Sequence, residues 1–361
     1  MQMRRWYTPA KALIGFALLA AIHGCGTTQT ASIPSSSPPP PSAQISETEP
    51  SPPQSLPYGA TPFVAPYYAP PERMDLCGDT VPLQYEDVRE RFDKEFTLIV
   101  YNHAQVYLWL KRMERYFPWI EQRLRTLGLP DDLKYVAIVE SDLQPNSCSP
   151  KGAAGPWQFM PSTGASYGLE QQGSYDSRFD FERSTECAFR LLGDLYKRYK
   201  NWATAIATYN CGDKRILDEM KSQRVNDYYR LKLPTETERY VFRILAIKAV
   251  LNNPGYYGYN LPKGQGYREL QVDKVNVNFS SPVSIQTVAD TSGTTYREIK
   301  RLNPTLRAEE VPAGSFEIKL PRGCGKTFEK NFSQARVQPV STSATRERSL
   351  DDDPPAPAPQ P

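Results

Sequence analysis

The chain has 361 residues, with 43 Lys and Arg against 40 Asp and Glu and a formal net charge of +3. That length exceeds the usual ~100–200 residues of one domain, so one large domain with accessories is expected, and so small a charge excess leaves no footprint for nucleic-acid binding. The 34 prolines, nearly double the usual share of about 5%, gather at the two ends and leave an ordinary globular composition between them.

Arg4, Arg5 and Lys11 precede an apolar run from Ala12 to Ile22 that meets Gly24-Cys25. The run is too short to span a bilayer, which takes about 20 residues of helix, and reads as the apolar core of a secretory signal. Its end, Ala21-Ile22-His23-Gly24-Cys25, resembles a lipoprotein signal, although His23 departs from the small or hydroxylic residue usual there. The resemblance implies a signal peptide over 1–25 and a diacylated Cys25 that holds the protein to a membrane. Gly26 after the cysteine implies the periplasmic face of the outer membrane of a Gram-negative cell. An ordinary signal cut near the alanines is the alternative. Residues 26–75, rich in Pro, Ser and Thr, have too few apolar residues to offset chain entropy and are expected to be a disordered tether. The tail 333–361 is expected to be disordered for the same reason.

Between 84 and 251 the periodicity is helical. From Glu86 to Arg115, residues such as Val88, Phe92, Phe96, Ile99, Val106 and Leu110 recur at three- and four-residue spacing. This predicts a long amphipathic helix, with or without a break, in which lone His103 is a packing residue. Next, Pro130-Asp131-Asp132 carries helix-start chemistry, with acids where the helix dipole favours them. In the following helix Leu133, Val136, Ala137 and Glu140 share one face. A carboxylate at the end of an apolar stripe loses hydration, and its pKa should rise, as a proton donor near neutral pH requires. On this helix alone the alternatives stay open: a buried glutamate held by a structural partner, or a helix-end residue in solvent.

Downstream stands Ser147-Cys148-Ser149-Pro150-Lys151-Gly152-Ala153-Ala154-Gly155-Pro156-Trp157-Gln158-Phe159-Met160-Pro161, which predicts a tightly turned loop whose small residues let a polymer approach the backbone. Two further motifs follow, Ala207-Thr208-Tyr209-Asn210-Cys211-Gly212 and Leu233-Pro234-Thr235-Glu236-Thr237-Glu238-Arg239-Tyr240-Val241. Taken in order over about 120–250, the motifs resemble the lytic transglycosylases with a soluble-lytic-transglycosylase domain, of the membrane-bound type D. The resemblance implies a mainly α, lysozyme-like (goose-type-like) catalytic domain over 76–265, with the long helix at its N-terminal side. It implies Glu140 as catalytic acid/base and Ser149 as the residue that orients it. Gln158, Met160, Tyr209 and Asn210 would bind substrate, and Glu236 would support the site from behind. Thr208 and Cys211 replace two alanines of the family pattern and Pro156 a leucine, which bears on fine geometry rather than on the reaction.

The activity so implied is cleavage of the MurNAc-β-1,4-GlcNAc bond of peptidoglycan glycan strands by a monomeric enzyme, with no cofactor. Glu140 would protonate the glycosidic oxygen, the substrate N-acetyl group would assist, and the muramic C6 hydroxyl would close a 1,6-anhydro ring. Most glycosidases instead use two carboxylates. Asp142 should point elsewhere on the helix, and Asp176 and Asp180 are expected to fix the loop rather than act as a second acid. A hydrolytic muramidase and a non-catalytic peptidoglycan-binding lipoprotein are the alternatives. Cys148 and Cys211 lie beside the two strongest motifs and are expected to pair; Cys77, Cys187 and Cys324 have no assignable partner. With two histidines and no CxxC, no metal site is expected. Gly325-Lys326-Thr327 has Leu320 at the first-glycine position of a P-loop, which excludes that motif.

Residues 270–322 read as a small separate unit. A strand at Val272–Val277, helices at Ser284–Ala289 and Thr295–Asn303, and a strand at Phe316–Pro321 give a βααβ order. With Ile299-Lys300-Arg301-Leu302-Asn303-Pro304, this resembles a degenerate LysM sugar-binding module; a structural cap is the alternative.

Overall fold

The computed structural model describes residues 66–335. The expected signal peptide, the lipidation site Cys25, most of the expected tether and nearly all of the expected disordered tail lie outside them. The described chain is mainly helical. A short hairpin of β1 (Asp75–Leu76) and β2 (Asp79–Thr80) leads to α1 (Glu86–Val100), α2 (His103–Leu127), α3 (Lys134–Ser141) and α4 (Pro161–Ser166). A second hairpin, β3 (Gln171–Gln172) with β4 (Tyr175–Asp176), precedes α5 (Phe181–Tyr199), α6 (Trp202–Cys211), α7 (Asp213–Gln223) and α8 (Thr235–Asn252).

The long helix read from the apolar spacing is broken at Tyr101-Asn102. Asn102 Oδ1 accepts from the Gln105 N–H at 3.3 Å, which caps α2 and turns the chain. Val88, Phe92, Phe96, Ile99 and Val100 form the buried stripe of α1, laid against α8. α2 ends at Gly128, whose φ of 63° is the left-handed stop that glycine takes without strain. α8 also packs against α3 and α6, and eleven of its 18 residues are buried. A helix apolar nearly all round sits at the centre of a core, and α8 does so here.

The segment expected to be a tether is folded from residue 66 onward. The Tyr68 ring lies 6.0 Å from Tyr101 and 5.6 Å from Tyr257. On α8, Lys248 Nζ donates to Asp75 Oδ1 at 2.9 Å and to Asp132 Oδ2 at 2.8 Å. An aromatic ring among the prolines supplies the burial that a Pro/Ser composition lacks, so the ordered region starts before the expected boundary.

Residues beyond 270 build a second small core. The strand β5 (Val272–Phe279) is followed by β6 (Val283–Ser284), α9 (Ile285–Ser292), α10 (Tyr296–Leu302), β7 (Glu310–Val311) and β8 (Gly314–Pro321). β5 and β8 pair antiparallel with Val275 opposite Ile318 and Val277 opposite Phe316. These residues alternate with exposed neighbours, as one covered sheet face requires. The βααβ order read from the sequence is therefore present. The unit continues past its expected end, because α11 (Gly325–Ala335) buries Phe328 in the same core. Gly325 and Gly323 both donate N–H to Asp273 Oδ2 at 2.9 Å, so the Gly325-Lys326-Thr327 run is a helix start. The unit is clamped to the helical region by Lys319 Nζ on Asp180 Oδ2 at 3.1 Å and by the Arg307 guanidinium 3.9 Å above the Phe179 ring.

Candidate active site

α3 positions Glu140. Tyr135, Val136, Ala137 and Ile138 are buried and fix the helix in the core, and the helix stops abruptly at Asp142 and Leu143, with φ of 54° and 59°. Two successive non-glycine residues in the left-handed region are strained and need outside support. It comes from α2: Trp109 Nε1 donates to Asp142 Oδ1 at 2.7 Å and Arg112 to the Asp142 carbonyl at 3.0 Å. Asp142 is thus turned away from Glu140 and occupied. Ser141, next to Glu140, is buried and donates to the Pro156 carbonyl at 2.8 Å, tying the helix end to the loop that follows.

That loop is organised by a residue the sequence reading did not single out. Arg178 is buried, donates from Nη2 to Asp176 Oδ2 at 2.7 Å, and sends Nη1 to the carbonyls of Gly152 and Phe159 at 2.8 Å each. One guanidinium so holds both arms of the loop, with the carboxylate of Asp176 fixing its plane. Asp176 has the loop-fixing role expected of it, and Asp180 caps α5 by accepting from the Arg183 N–H at 2.9 Å. Gly155, at φ 81°, passes so close to this strut that a Cβ there would sit 1.9 Å from the Arg178 carbonyl oxygen. Only glycine fits. Gln158 has φ 48° and donates from Nε2 to the carbonyls of Gly155 and Ser147 at 2.8 and 3.1 Å.

α6 and α8 close the other side. Tyr209 donates its hydroxyl to the Trp157 carbonyl at 2.7 Å, and its ring meets Phe159 edge-on at 6.2 Å. Thr237, buried on α8, donates to Asn210 Oδ1 at 2.8 Å. Tyr240, one turn further on α8, donates its hydroxyl to Glu140 Oε1. Glu236, Tyr240 and Arg243 follow the i, i+4, i+7 spacing of one helix face, and all three line the same cleft.

The cleft encloses about 590 Å³. All seven residues expected at the site, Glu140, Ser149, Gln158, Met160, Tyr209, Asn210 and Glu236, line it. Burial pushes the Glu140 carboxyl up to about 7; the Tyr240 hydroxyl and the Arg243 charge pull it down, and the Glu236 charge pushes it further up. The Tyr240 and Tyr209 hydroxyls are raised well above the usual range by burial first and the Glu140 charge second, so both remain donors. The result is one carboxyl that exchanges its proton near neutrality inside a concave wall.

Three details differ from the expectations. Ser149 Oγ accepts from the Ala153 N–H at 3.0 Å and shapes the loop, while the hydrogen bond that orients Glu140 comes from Tyr240. Glu236 is exposed on the cleft wall rather than behind it, and buried Thr237 is the supporting residue. Cys148 and Cys211, expected to pair, are separate free thiols, as are Cys77, Cys187 and Cys324. Cys148 is exposed on the loop, whereas Cys211 lines the cleft and turns its sulfur to its neighbour's carbonyl, that of Gly212. Closeness to the motifs did not join the two cysteines.

Residues 117–231 match the family described as Transglycosylase SLT domain. Over 238 residues the chain is 32% identical to the membrane-bound lytic murein transglycosylase D of Escherichia coli strain K12, covering 64% of this chain and 52% of the relative. The protein of the same name from Escherichia coli O6:H1 matches to the same extent. The chain thus spans about half the length of these relatives. Among solved structures, the 70 kDa soluble lytic transglycosylase of Escherichia coli aligns with a TM-score of 0.33 at 23% identity, covering 51% of this chain and 33% of that one. Residues 117–231 thus match a Transglycosylase SLT domain, and over 238 residues the chain is similar to two membrane-bound lytic murein transglycosylases.

Proposed function

We propose that this protein cleaves the MurNAc-β-1,4-GlcNAc bond of peptidoglycan as a lytic transglycosylase, with Glu140 as its single acid and base. The observation that carries the reading is the environment of Glu140: a carboxyl held by Tyr240 in a cleft whose burial keeps its proton available near pH 7. Protonated Glu140 gives its proton to the glycosidic oxygen as the bond to the muramic C1 breaks. The carboxylate left behind faces the Tyr240 hydroxyl, a donor that stabilises it. It then takes the proton of the muramic C6 hydroxyl, whose oxygen bonds to C1 and closes the 1,6-anhydro ring. Glu140 ends protonated as it began, and no water is consumed. Gln158 and Asn210 offer polar groups along the wall, and Met160 an adaptable apolar surface.

A hydrolytic muramidase is the second reading, because Glu236 shares the cleft and is a carboxylate that could direct a water. Mass spectrometry of purified peptidoglycan digested with the full chain separates the two. Products one water lighter than hydrolysed muropeptides, absent with Glu140→Gln, are expected. Reducing ends that disappear with Glu236→Gln would replace the transglycosylase by the hydrolase. Sacculus binding without any release would leave a non-catalytic wall-binding protein.

The same reading makes 76–265 a lysozyme-like catalytic domain and 270–322 a LysM-like module that adds affinity for glycan. Lipidation at Cys25 would place the protein at the periplasmic face of the outer membrane, as a monomer. Metabolic labelling with a palmitate analogue, lost in Cys25→Ala, tests the anchor.

A further inference from the structure

α8 carries three cationic side chains, and two of them have evident duties. Arg239 is paired with Glu95, Lys248 with Asp75 and Asp132, and those pairs hold α8 to its neighbours. Arg243 differs. It is half-buried, lines the cleft, and makes no hydrogen bond or ion pair with any described residue. Arg215 on the same wall is exposed and paired with Glu219 at 3.3 Å, and Lys151 is exposed on the loop. A guanidinium partly withdrawn from water without a partner carries a desolvation cost that an anionic ligand would offset.

Arg243 also acts on its neighbour, since its charge favours the ionised form of Glu140 that proton donation leaves behind. A guanidinium fork matches a carboxylate in geometry and charge. Arg243 stands at i+7 on the α8 face that carries Glu236 and Tyr240, and lines the cleft with Glu140.

We infer that Arg243 binds a carboxylate carried by the muramyl residue of the substrate, and so selects strands by their substituent. This rests on the reading of the cleft as a peptidoglycan site. The sugar rings of the strand are neutral, and the anionic groups near the scissile bond belong to the lactyl ether or to the peptide attached to it. The lactyl carboxylate is free only on strands stripped of peptide, whereas the peptide supplies its own carboxylates when present.

The test compares the full chain with Arg243→Gln and Arg243→Lys on peptide-bearing strands and on amidase-stripped strands, with a neutral N-acetylglucosamine oligosaccharide as competitor. Arg243→Gln is expected to raise KM at least about tenfold, the scale of one charge-assisted pair, with kcat changed far less. Arg243→Lys should recover part of the loss, and the inhibition constant of the neutral competitor should stay the same. Loss confined to peptide-bearing strands assigns the peptide carboxylate, and loss confined to stripped strands the lactyl carboxylate. An unchanged KM, or an equal weakening of the neutral competitor, overturns the inference. If the unsubstituted protein turns over neither strand, the functional reading itself falls, and the inference with it.

Discussion

The helical region around the cleft and the βααβ unit beyond 270 handle strain and charge in opposite ways. Around the cleft, Asp142, Leu143 and Gln158 sit at positive φ, a carboxyl is partly withdrawn from water, and a half-buried arginine makes no hydrogen bond with a described residue. Among the described residues of the second unit no non-glycine residue has positive φ. Its buried Asn303 is fully used, donating from Nδ2 to the carbonyls of Ile299 and Lys319 at 2.9 and 2.7 Å and accepting from the Lys319 N–H at 2.8 Å. Local backbone rules are kept in the small unit and broken around the cleft and at the chain reversals of Cys77, Lys200 and Arg224. The larger core of the helical region is what sustains the breach.

The comparison can be broken most forcefully at the strut. Asp176→Ala leaves the Arg178 guanidinium buried without its counter-charge, and about 3–5 kcal/mol of stability should be lost, with collapse of the loop over 147–160. Denaturant unfolding measures it; a loss under 1 kcal/mol would mean that the loop stands without the strut. Next in size is a gain. A glutamate whose pKa is about 7 when folded and near 4.5 when unfolded binds its proton more tightly in the folded state. The protein therefore loses stability as pH rises from about 4.5 to 7, by up to about 3 kcal/mol. Glu140→Gln should abolish turnover yet melt higher than the parent above pH 7, with the difference vanishing below pH 4.5. Melting curves across that range check the sign. The smallest effect belongs to the second unit: Asn303→Ala strands the Lys319 N–H and should cost about 1–3 kcal/mol. Turnover of short soluble glycans should be untouched, and a fall in kcat would join the two regions that the comparison separates.

Much of this was legible from residue spacing. The stripe Leu133, Val136, Ala137, Glu140 announced a carboxyl at the end of an apolar face, and alternation at Val275 and Val277 announced the covered strand. What escaped was pairing across sequence. Tyr240 reaches Glu140 over 100 positions, and Arg178 grips Gly152 from 26 positions away; no local pattern encodes either contact. A signal for α8 did exist, since Glu236, Tyr240 and Arg243 share one face, but an apolar helix at the centre of a core hides its short polar stripe among buried neighbours. The opposite error, the Cys148–Cys211 bridge, came from treating nearness to motifs as nearness of sulfurs.

Lys248 gives the molecule a load path. Its ammonium grips Asp75, at the entry of the folded chain, and Asp132, at the start of the turn that leads into α3. It belongs to α8, the helix that carries Tyr240 and Arg243. That single ammonium therefore joins the first hairpin, the turn before α3 and the helix opposite it, so a displacement of the hairpin at Asp75 is shared between the helix of Glu140 and the helix of Tyr240, in the manner of a guy-rope pegged to the frame of the hinge it steadies.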